Sequence, residues 1–184
     1  MNERAVLVLF AVAGSLRARS SNRTLLEAAS AVAPRDVHVD LYDGVAGLPH
    51  FNPDLDATAI AEVVDLTRRV RECDGFIVSS PEYARGIPGA LKNALDWLVG
   101  GDGFVDKPFM LLNASDRSQF AQRALIDVLR TMSGVAIEGA FLTLPLLGTT
   151  LSHEALLREA RYADPIRASL ETFVAAIRAR RAAT

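Results

Sequence analysis

Residues 5–22 read AVLVLFAVAGSLRARSSN, an apolar run followed by a glycine and a polar segment. The apolar run is rich in Val, Leu and Ala, which is typical of a parallel strand buried on both faces. Gly14 permits a tight turn directly after it. Apolar side chains at helical spacing resume beyond Asn22. The segment therefore predicts a strand, a loop and the start of a helix, which together begin a β-α-β unit.

The same alternation continues along the chain. We expect strands at residues 5–12, 36–41, 75–79 and 108–113 and a fifth within 135–144. We expect helices at residues 22–32, 58–72, 88–99 and 118–132, and a last helix that begins at Asp164 as its N-cap with Pro165 in the first helical position.

This pattern predicts an α/β fold with a five-stranded parallel sheet covered by helices on both faces, which is a three-layer sandwich. In the second strand Val37 and Val39 alternate with His38 and Asp40, which is typical of a sheet edge. With that strand beside the first, the order is 2-1-3-4-5, the flavodoxin-like order. Ligands bind such sheets at the carboxyl ends of strands one and three.

Length and composition limit the class of protein. The 184 residues fit a single domain, and half of them are hydrophobic, which excludes a disordered chain. A net charge of −2 favours neither a nucleic-acid partner nor an acidic docking electron carrier. The apolar run at residues 5–13 is too short to span a membrane. It has features of a secretory signal, but Glu3 spoils the positive segment, so we expect a cytoplasmic protein.

The first loop has the composition of a phosphate site. Its polar side chains lie beside the free N–H groups at a helix start, where the helix dipole favours an anion. Arg17 can add a charge-assisted contact. An ordinary N-cap needs one such residue, whereas this loop has four: Ser15, Ser20, Ser21 and Asn22. Its spacing matches neither GxGxxG nor GxxxxGK[ST], which argues against tightly held NAD and against ATP hydrolysis.

The loop after the third strand reads SPEYARGIPGALKNALDW, residues 80–97. Two prolines stiffen it and two glycines allow backbone to approach a ligand, which suits the edge of a planar heterocycle. Tyr83 supplies an aromatic wall. Glu82 has no paired carboxylate or histidine nearby in sequence, so we expect a structural or orienting role. Trp97 is expected to pack in the core.

These two loops together resemble the NADPH-dependent FMN reductase family, which includes quinone, chromate and azo-dye reductases of bacteria. The segment LPHFNPD at residues 48–54 resembles the family's loop after the second strand, and the match spans most of residues 5–144. The resemblance implies a single flavodoxin-like domain over residues 1–184 with bound FMN. It also implies dimers or tetramers with flavin sites near a subunit interface.

The resemblance assigns roles to the loop residues. The FMN phosphate would be held by Ser15, Arg17, Ser20 and Asn22, with Ser21 beside them. The isoalloxazine ring would be lined, largely through backbone, by Pro81, Glu82, Tyr83, Ala84 and Gly86.

The loop after the fourth strand, residues 113–120, departs most from the family because it lacks glycine. Ser115 is a candidate for the flavin ring edge. Arg85 and Arg117 are candidates for the 2′-phosphate of NADPH, with solvated surface arginines as the equal alternative.

Other chemistries lack the residues they need. His38, His50 and His153 are widely spaced and one cysteine is present, so no metal site is expected. Cys73 is expected to be a buried structural thiol rather than a redox group. No GxSxG motif occurs, which gives no support to a hydrolase.

The sequence therefore predicts an FMN-dependent oxidoreductase that takes hydride from NADPH or NADH. The acceptor would be a small molecule: free flavin, a quinone, an azo compound or chromate. No catalytic side chain is required, because the flavin carries the chemistry. One alternative is a non-enzymatic flavin carrier or sensor, although a flavodoxin usually has T-x-T-G-N-T in the first loop. The other is a flavin-free interaction domain.

Overall fold

A computed structural model describes residues 6–146 and 151–183. Strands and helices alternate through these residues as predicted. The strands are β1 (Leu7–Ala13), β2 (Val37–Tyr42), β3 (Gly75–Ser79), β4 (Pro108–Asn113), β5 (Val135–Ala136) and β6 (Leu142–Thr143). The helices are α1 (Ser21–Ala31), α2 (Ala61–Glu72), α3 (Gly89–Val99), α4 (Gln119–Thr131), α5 (His153–Leu157) and α6 (Ala160–Ala182).

The strands form one parallel sheet in the order β2-β1-β3-β4-β5, and β6 also pairs with β4. In the middle of the sheet Leu9 of β1 lies opposite Val39 of β2 and Gly75 of β3. The predicted α/β class and the order 2-1-3-4-5 are confirmed.

Two hydrophobic layers enclose the sheet. Along β1, Leu9 and Ala11 face the layer formed by α1, α5 and α6. Phe10 and Val12 face the layer formed by α2, α3 and α4. Because successive side chains of a strand point to opposite faces, one apolar run supplies both cores. The sheet is thus covered on both faces, as the predicted three-layer sandwich requires.

The second helix begins at Ala61 rather than at residue 58, after a 3₁₀ turn at Ala57–Ala59. Two other predicted elements differ more from the structure. The single fifth strand expected within residues 135–144 is two short strands, β5 and β6, separated by a 3₁₀ turn at Glu138–Ala140. The last helix begins at Ala160, not at Asp164. Pro165 therefore lies inside α6, where it removes one backbone hydrogen bond. Ala163 and Ile166 are buried against the core, so packing supports the helix across this proline.

The long loop after β2 is fastened to α3. The carbonyl of Pro49 accepts hydrogen bonds from Trp97 Nε1 at 2.8 Å and from Asn93 Nδ2 at 2.9 Å. Asn93 Oδ1 in turn accepts a hydrogen bond from the amide of Phe51 at 2.7 Å. Trp97 is buried and its ring meets Phe51 edge-on. Its predicted packing role is confirmed.

Cys73 is buried at the end of α2, and burial raises the pKa of its thiol to about 11. This agrees with the structural role predicted for it. No helix among residues 6–146 and 151–183 combines the length and the apolar character needed to cross a membrane. The same residues contain no cluster of three His, Cys, Asp or Glu side chains able to hold a metal ion.

Candidate functional site

Three loops meet at the carboxyl edge of the sheet, where β1, β3 and β4 end. They enclose a cavity of about 360 Å³. In a parallel sheet of this order, the divergence of the connections after β1 and β3 opens a crevice at this point. The cavity is lined by Ser15, Arg17, Arg19, Ser20, Ser21, Asn22, Pro81, Glu82, Tyr83, Ala114, Ser115, Arg117 and Ser118.

The first loop turns tightly into α1. Ser20 is the N-cap of α1, and its hydroxyl accepts a hydrogen bond from the amide of Arg23 at 3.4 Å. The start of the turn favours Gly14, because a Cβ there would lie 2.5 Å from Ser80 Oγ and 2.9 Å from Leu91 Cδ2, so these buried side chains would have to shift. Its amide donates to the carbonyl of Ser79 at 2.8 Å. The loop after β1 is thereby held against the end of β3.

Three arginines give the cavity a positive charge. Many arginines of the chain, such as Arg23 and Arg69, are engaged by carboxylates. In contrast, Arg17, Arg19 and Arg117 have no ionic partner within the part of the chain that the structure describes, and all three are exposed. Since guanidinium groups pair readily with phosphate oxygens, this end of the cavity favours a phosphorylated ligand.

The loop after β3 forms a closed turn. Tyr83 and Gly86 exchange two backbone hydrogen bonds, of 3.1 and 2.9 Å. Between them Ala84 and Arg85 both have positive φ, 49° and 62°, the pattern of a type I′ turn. Residues with a Cβ adopt this region at a cost of about 1–3 kcal/mol each when the surroundings enforce it. The turn presents the Tyr83 ring, 50% exposed, beside the cavity.

The loop after β4 is ordered by its own side chains. Asn113 Oδ1 accepts a hydrogen bond from the amide of Ser115 at 3.1 Å, and Ser115 Oγ accepts one from the amide of Arg117 at the same distance. Asn113 and Ser115 are both buried. These bonds replace the glycine-rich backbone expected for the family, and they give this loop a defined shape without glycine.

Two helix N-termini face the cavity, and they differ in charge. At α4 the carboxylate of Glu82 accepts hydrogen bonds from the amides of Phe120 at 2.9 Å and Ala121 at 3.0 Å. None of the described residues in the first turn of α1 is acidic. The positive end of the α4 dipole is therefore already satisfied, and α1 is the terminus open to an anion.

Most residues predicted for the site lie together in this cavity. Ten of them line it: Ser15, Arg17, Ser20, Ser21, Asn22, Pro81, Glu82, Tyr83, Ser115 and Arg117. Among the described residues, Ala84, Arg85 and Gly86 lie outside the lining, in the type I′ turn. The guanidinium of Arg85 lies over the Phe120 ring, 4.7 Å from its centroid.

Three lining residues were missed by sequence reasoning: Arg19, Ala114 and Ser118. Arg19 lies within the quoted first loop, and its charge beside Arg17 was an available signal. Ala114 and Ser118 lie in the loop after β4, where only Ser115 and Arg117 were predicted for the site.

A second cavity of about 370 Å³ lies on the other side of the first loop. Ser15 and Arg17 line both cavities. The second one is also bordered by the ion pair of Arg23 with Asp43. The first loop thus separates the two cavities, and Arg17 borders both of them.

The chain belongs to the NADPH-dependent FMN reductase family, whose model matches residues 7–146. This confirms the family predicted from the two loops, and the family's description names FMN and NADPH.

Known proteins of this kind resemble the chain in sequence and in structure. A 2-hydroxy-1,4-benzoquinone reductase of a Burkholderia species is 38% identical over 91 residues, which cover 50% of this chain and 49% of that protein. The quinone reductase of Escherichia coli is 33% identical over 106 residues, covering 55% and 56%. The chain thus spans about half the length of these two relatives.

A solved structure shares the fold over nearly the full length. FerB, a flavoenzyme NAD(P)H:(acceptor) oxidoreductase from Paracoccus denitrificans, matches with a TM-score of 0.78 and 27% identity. The match covers 94% of this chain and 98% of that one. The flavodoxin-like architecture predicted from the strand order is therefore shared with a known flavoenzyme.

Proposed function

We propose that this protein is an FMN-dependent oxidoreductase that takes hydride from NADPH or NADH and passes it to a small-molecule acceptor. The observation that carries the proposal is the cavity at the ends of β1, β3 and β4. One end has a helix N-terminus with no acidic residue in its described first turn, and arginines that form no ion pair with any described residue. The other end has the Tyr83 ring and the stiff backbone after β3.

The phosphate of FMN lies at the α1 end in this proposal. The donors are the hydroxyls of Ser15, Ser20 and Ser21, with the Arg17 guanidinium as the charged partner. Asn22 supports the phosphate site indirectly, because its side-chain oxygen already accepts a hydrogen bond from the hydroxyl of Ser79. The N-terminus of α1 carries the positive end of its helix dipole, and no described residue of its first turn is acidic, whereas the N-terminus of α4 already binds the Glu82 carboxylate. Both features favour a phosphate at α1 rather than at α4.

The flavin ring lies against the turn after β3. Pro81, Glu82 and Tyr83 form this wall, and Ala84 and Gly86 hold its shape through the type I′ turn. Ser115, on the facing loop, is placed to contact the ring edge. Arg117 on the lining and Arg85 at the rim are the candidates for the 2′-phosphate of NADPH.

FMN, when bound, supplies hydride transfer between nicotinamide and acceptor. The protein's part is to bind, orient and stabilise. Glu82 is the only carboxylate among the described residues that line the cavity, and two backbone amides already engage it. A side chain free to act as a general base is thus absent from the lining that the structure describes, in keeping with a reaction that needs none.

A quinone is the acceptor we propose first, since two of the relatives compared are named quinone reductases. Free flavin, azo compounds and chromate are further candidates. We also propose a cytoplasmic homodimer or homotetramer. The exposed rings of Tyr83 and Phe120 beside the cavity support a subunit contact there.

The test is to purify the protein, record its visible spectrum, titrate it with FMN and measure oxidation of NADPH and NADH with a benzoquinone. We expect saturable FMN binding and acceptor-dependent oxidation of at least one nucleotide. Bound FMN without nucleotide oxidation would support a carrier instead. A colourless protein that binds no FMN would refute the proposed function. Size-exclusion chromatography with light scattering tests the proposed homodimer or homotetramer.

A further inference from the structure

Helix α4 begins without a cap of its own. The side chain of Ser118, which precedes it, makes no capping hydrogen bond within the described residues, and no acidic residue there lies in the first turn of the helix. Free N–H groups at a helix start need an acceptor. For α4 the acceptor comes from another part of the chain, since Glu82 in the loop after β3 receives both the Phe120 and the Ala121 amide.

A second contact joins the same two segments. The Arg85 guanidinium lies 4.7 Å from the centroid of the Phe120 ring, a cation–π distance. Glu82 precedes Tyr83, and Arg85 follows it by two residues, so both contacts hold the segment that carries Tyr83. Tyr83 is the one aromatic residue among the described residues that line the cavity. The reciprocal bonds between Tyr83 and Gly86 leave little freedom in the segment between them.

Both joined segments contribute to the lining of the cavity. Pro81, Glu82 and Tyr83 belong to the loop after β3, and Ser115 and Ser118 belong to the loop after β4. The loop after β4 has its own internal bonds, from Asn113 to Ser115 and from Ser115 to Arg117. Among the described residues, the carboxylate of Glu82 therefore joins two loops that are otherwise ordered by their own hydrogen bonds.

We propose that Glu82 is a positioning residue, which ties the turn after β3 to the N-terminus of α4 and thereby fixes the width of the flavin site. This rests on the proposed function, because it takes FMN as the occupant of the cavity. Glu82 acts through backbone amides rather than by proton transfer. Its contribution is to hold the Tyr83 wall at the distance that FMN requires.

The experiment compares Glu82→Ala and Glu82→Gln with the unchanged protein. The glutamine retains a carbonyl oxygen that can accept both amide hydrogen bonds, whereas the alanine has none. Asp56→Ala is the matched control, because the Asp56 carboxylate likewise accepts a backbone amide and a second bond, both from Thr58, and lies away from this cavity. Each variant is measured for FMN affinity, flavin reduction potential and amide hydrogen exchange without FMN.

We expect Glu82→Ala to weaken FMN binding by about tenfold or more, as loss of a charge-assisted link implies. It should also shift the reduction potential and speed exchange at Phe120 and Ala121. Glu82→Gln should stay within about threefold of the unchanged protein, and Asp56→Ala should change neither FMN property.

The outcomes separate this inference from the proposed function. If the unchanged protein binds no FMN, the proposed function fails. If it binds FMN and Glu82→Ala binds it equally tightly with the same potential, the positioning role is refuted. A Glu82→Gln variant as weak as Glu82→Ala would also refute it, because the link would then not be one of hydrogen bonding.

Discussion

The hydroxyl of Ser79 donates a hydrogen bond of 3.0 Å to the side-chain oxygen of Asn22, although the two residues lie 57 positions apart in the chain. Both side chains are buried. The bond joins the end of β3 to the first turn of α1, directly beneath the cavity. It therefore couples the loop that we assign to the phosphate to the strand that leads into the flavin-facing turn.

Removal of this bond should cost stability. In Ser79→Ala the buried oxygen of Asn22 loses its donor, so we expect the free energy of unfolding to fall by about 1–2 kcal/mol, measured by urea denaturation. Thr131→Ala is the control, because its hydroxyl bonds to the carbonyl of Asp127 on an exposed helix face. Equal effects of the two substitutions would contradict the role assigned to Ser79.

Substitution by alanine should destabilise the protein at Gly14 and stabilise it at Gly89. A methyl group on Gly14 meets Ser80 and Leu91, so Gly14→Ala should lower the free energy of unfolding by about 1–3 kcal/mol and weaken FMN binding. Gly89 begins α3, and apart from its chain neighbours and the nearby backbone of the helix, no atom of the described residues lies within 4 Å of the added Cβ. Gly89→Ala should stabilise the protein by about 0.4–1 kcal/mol. The measurement is the thermal unfolding of both variants. A Gly14→Ala variant as stable as the unchanged protein would contradict the prediction, because the turn would then accommodate the methyl group.

The turn after β3 should be sensitive to the residue at position 84. Ala84 has a φ of 49°, a region that asparagine tolerates and that a β-branched residue resists. We expect Ala84→Asn to raise the free energy of unfolding by roughly 0.5–1 kcal/mol and Ala84→Val to lower it by about 1–2 kcal/mol. Denaturant titration distinguishes the two, and the opposite ranking would mean that the turn is not held in the left-handed region.

Alkaline pH should destabilise the protein through Cys73. Burial raises the pKa of its thiol from 9.0 to about 11, so the unfolded chain releases this proton more readily than the folded one. The stabilising contribution is complete below pH 9 and is lost as the pH rises towards 11. A two-unit shift corresponds to about 2.7 kcal/mol at most.

The measurement is the free energy of unfolding of the unchanged protein and Cys73→Ala between pH 8 and about 11. The difference between their slopes isolates Cys73, because Tyr42, whose pKa is raised to about 12, titrates in both proteins. Parallel slopes would contradict the burial of the thiol.

Sequence patterns were most successful where burial alone decides the structure. β3 and β4 lie at their predicted boundaries because every residue of both strands is buried, so an uninterrupted apolar run defines each strand. The last helix was predicted five residues too late, since its N-cap is Glu159 and not Asp164. Asp164 and Pro165 form a recognisable helix start, but the packing of Ala163 and Ile166 extends α6 past them.

In the candidate site too, local motifs predicted some features, and contacts between distant segments decided others. Residues within the two loops that carry distinctive motifs were predicted, and most of them line one cavity. The link from Glu82 to the Phe120 amide was not predictable, because its partner is a backbone group 38 residues away. The side chains of Asn113 and Ser115 order the loop after β4, and the sequence analysis did not predict these two hydrogen bonds.

In the function that we propose, the cavity binds FMN with the phosphate at the N-terminus of α1. Comparison of FMN with riboflavin, which lacks the phosphate, tests it directly when both are titrated against the unchanged protein and the double variant Arg17→Ala/Ser20→Ala. Arg130→Ala serves as the control, since Arg130 pairs with Glu138 away from the cavity. We expect the unchanged protein and the control to prefer FMN by about a hundredfold, and the double variant to lose most of that preference with riboflavin affinity unchanged. Equal affinity of the unchanged protein for FMN and riboflavin, or a preference that survives in the double variant, would contradict the account.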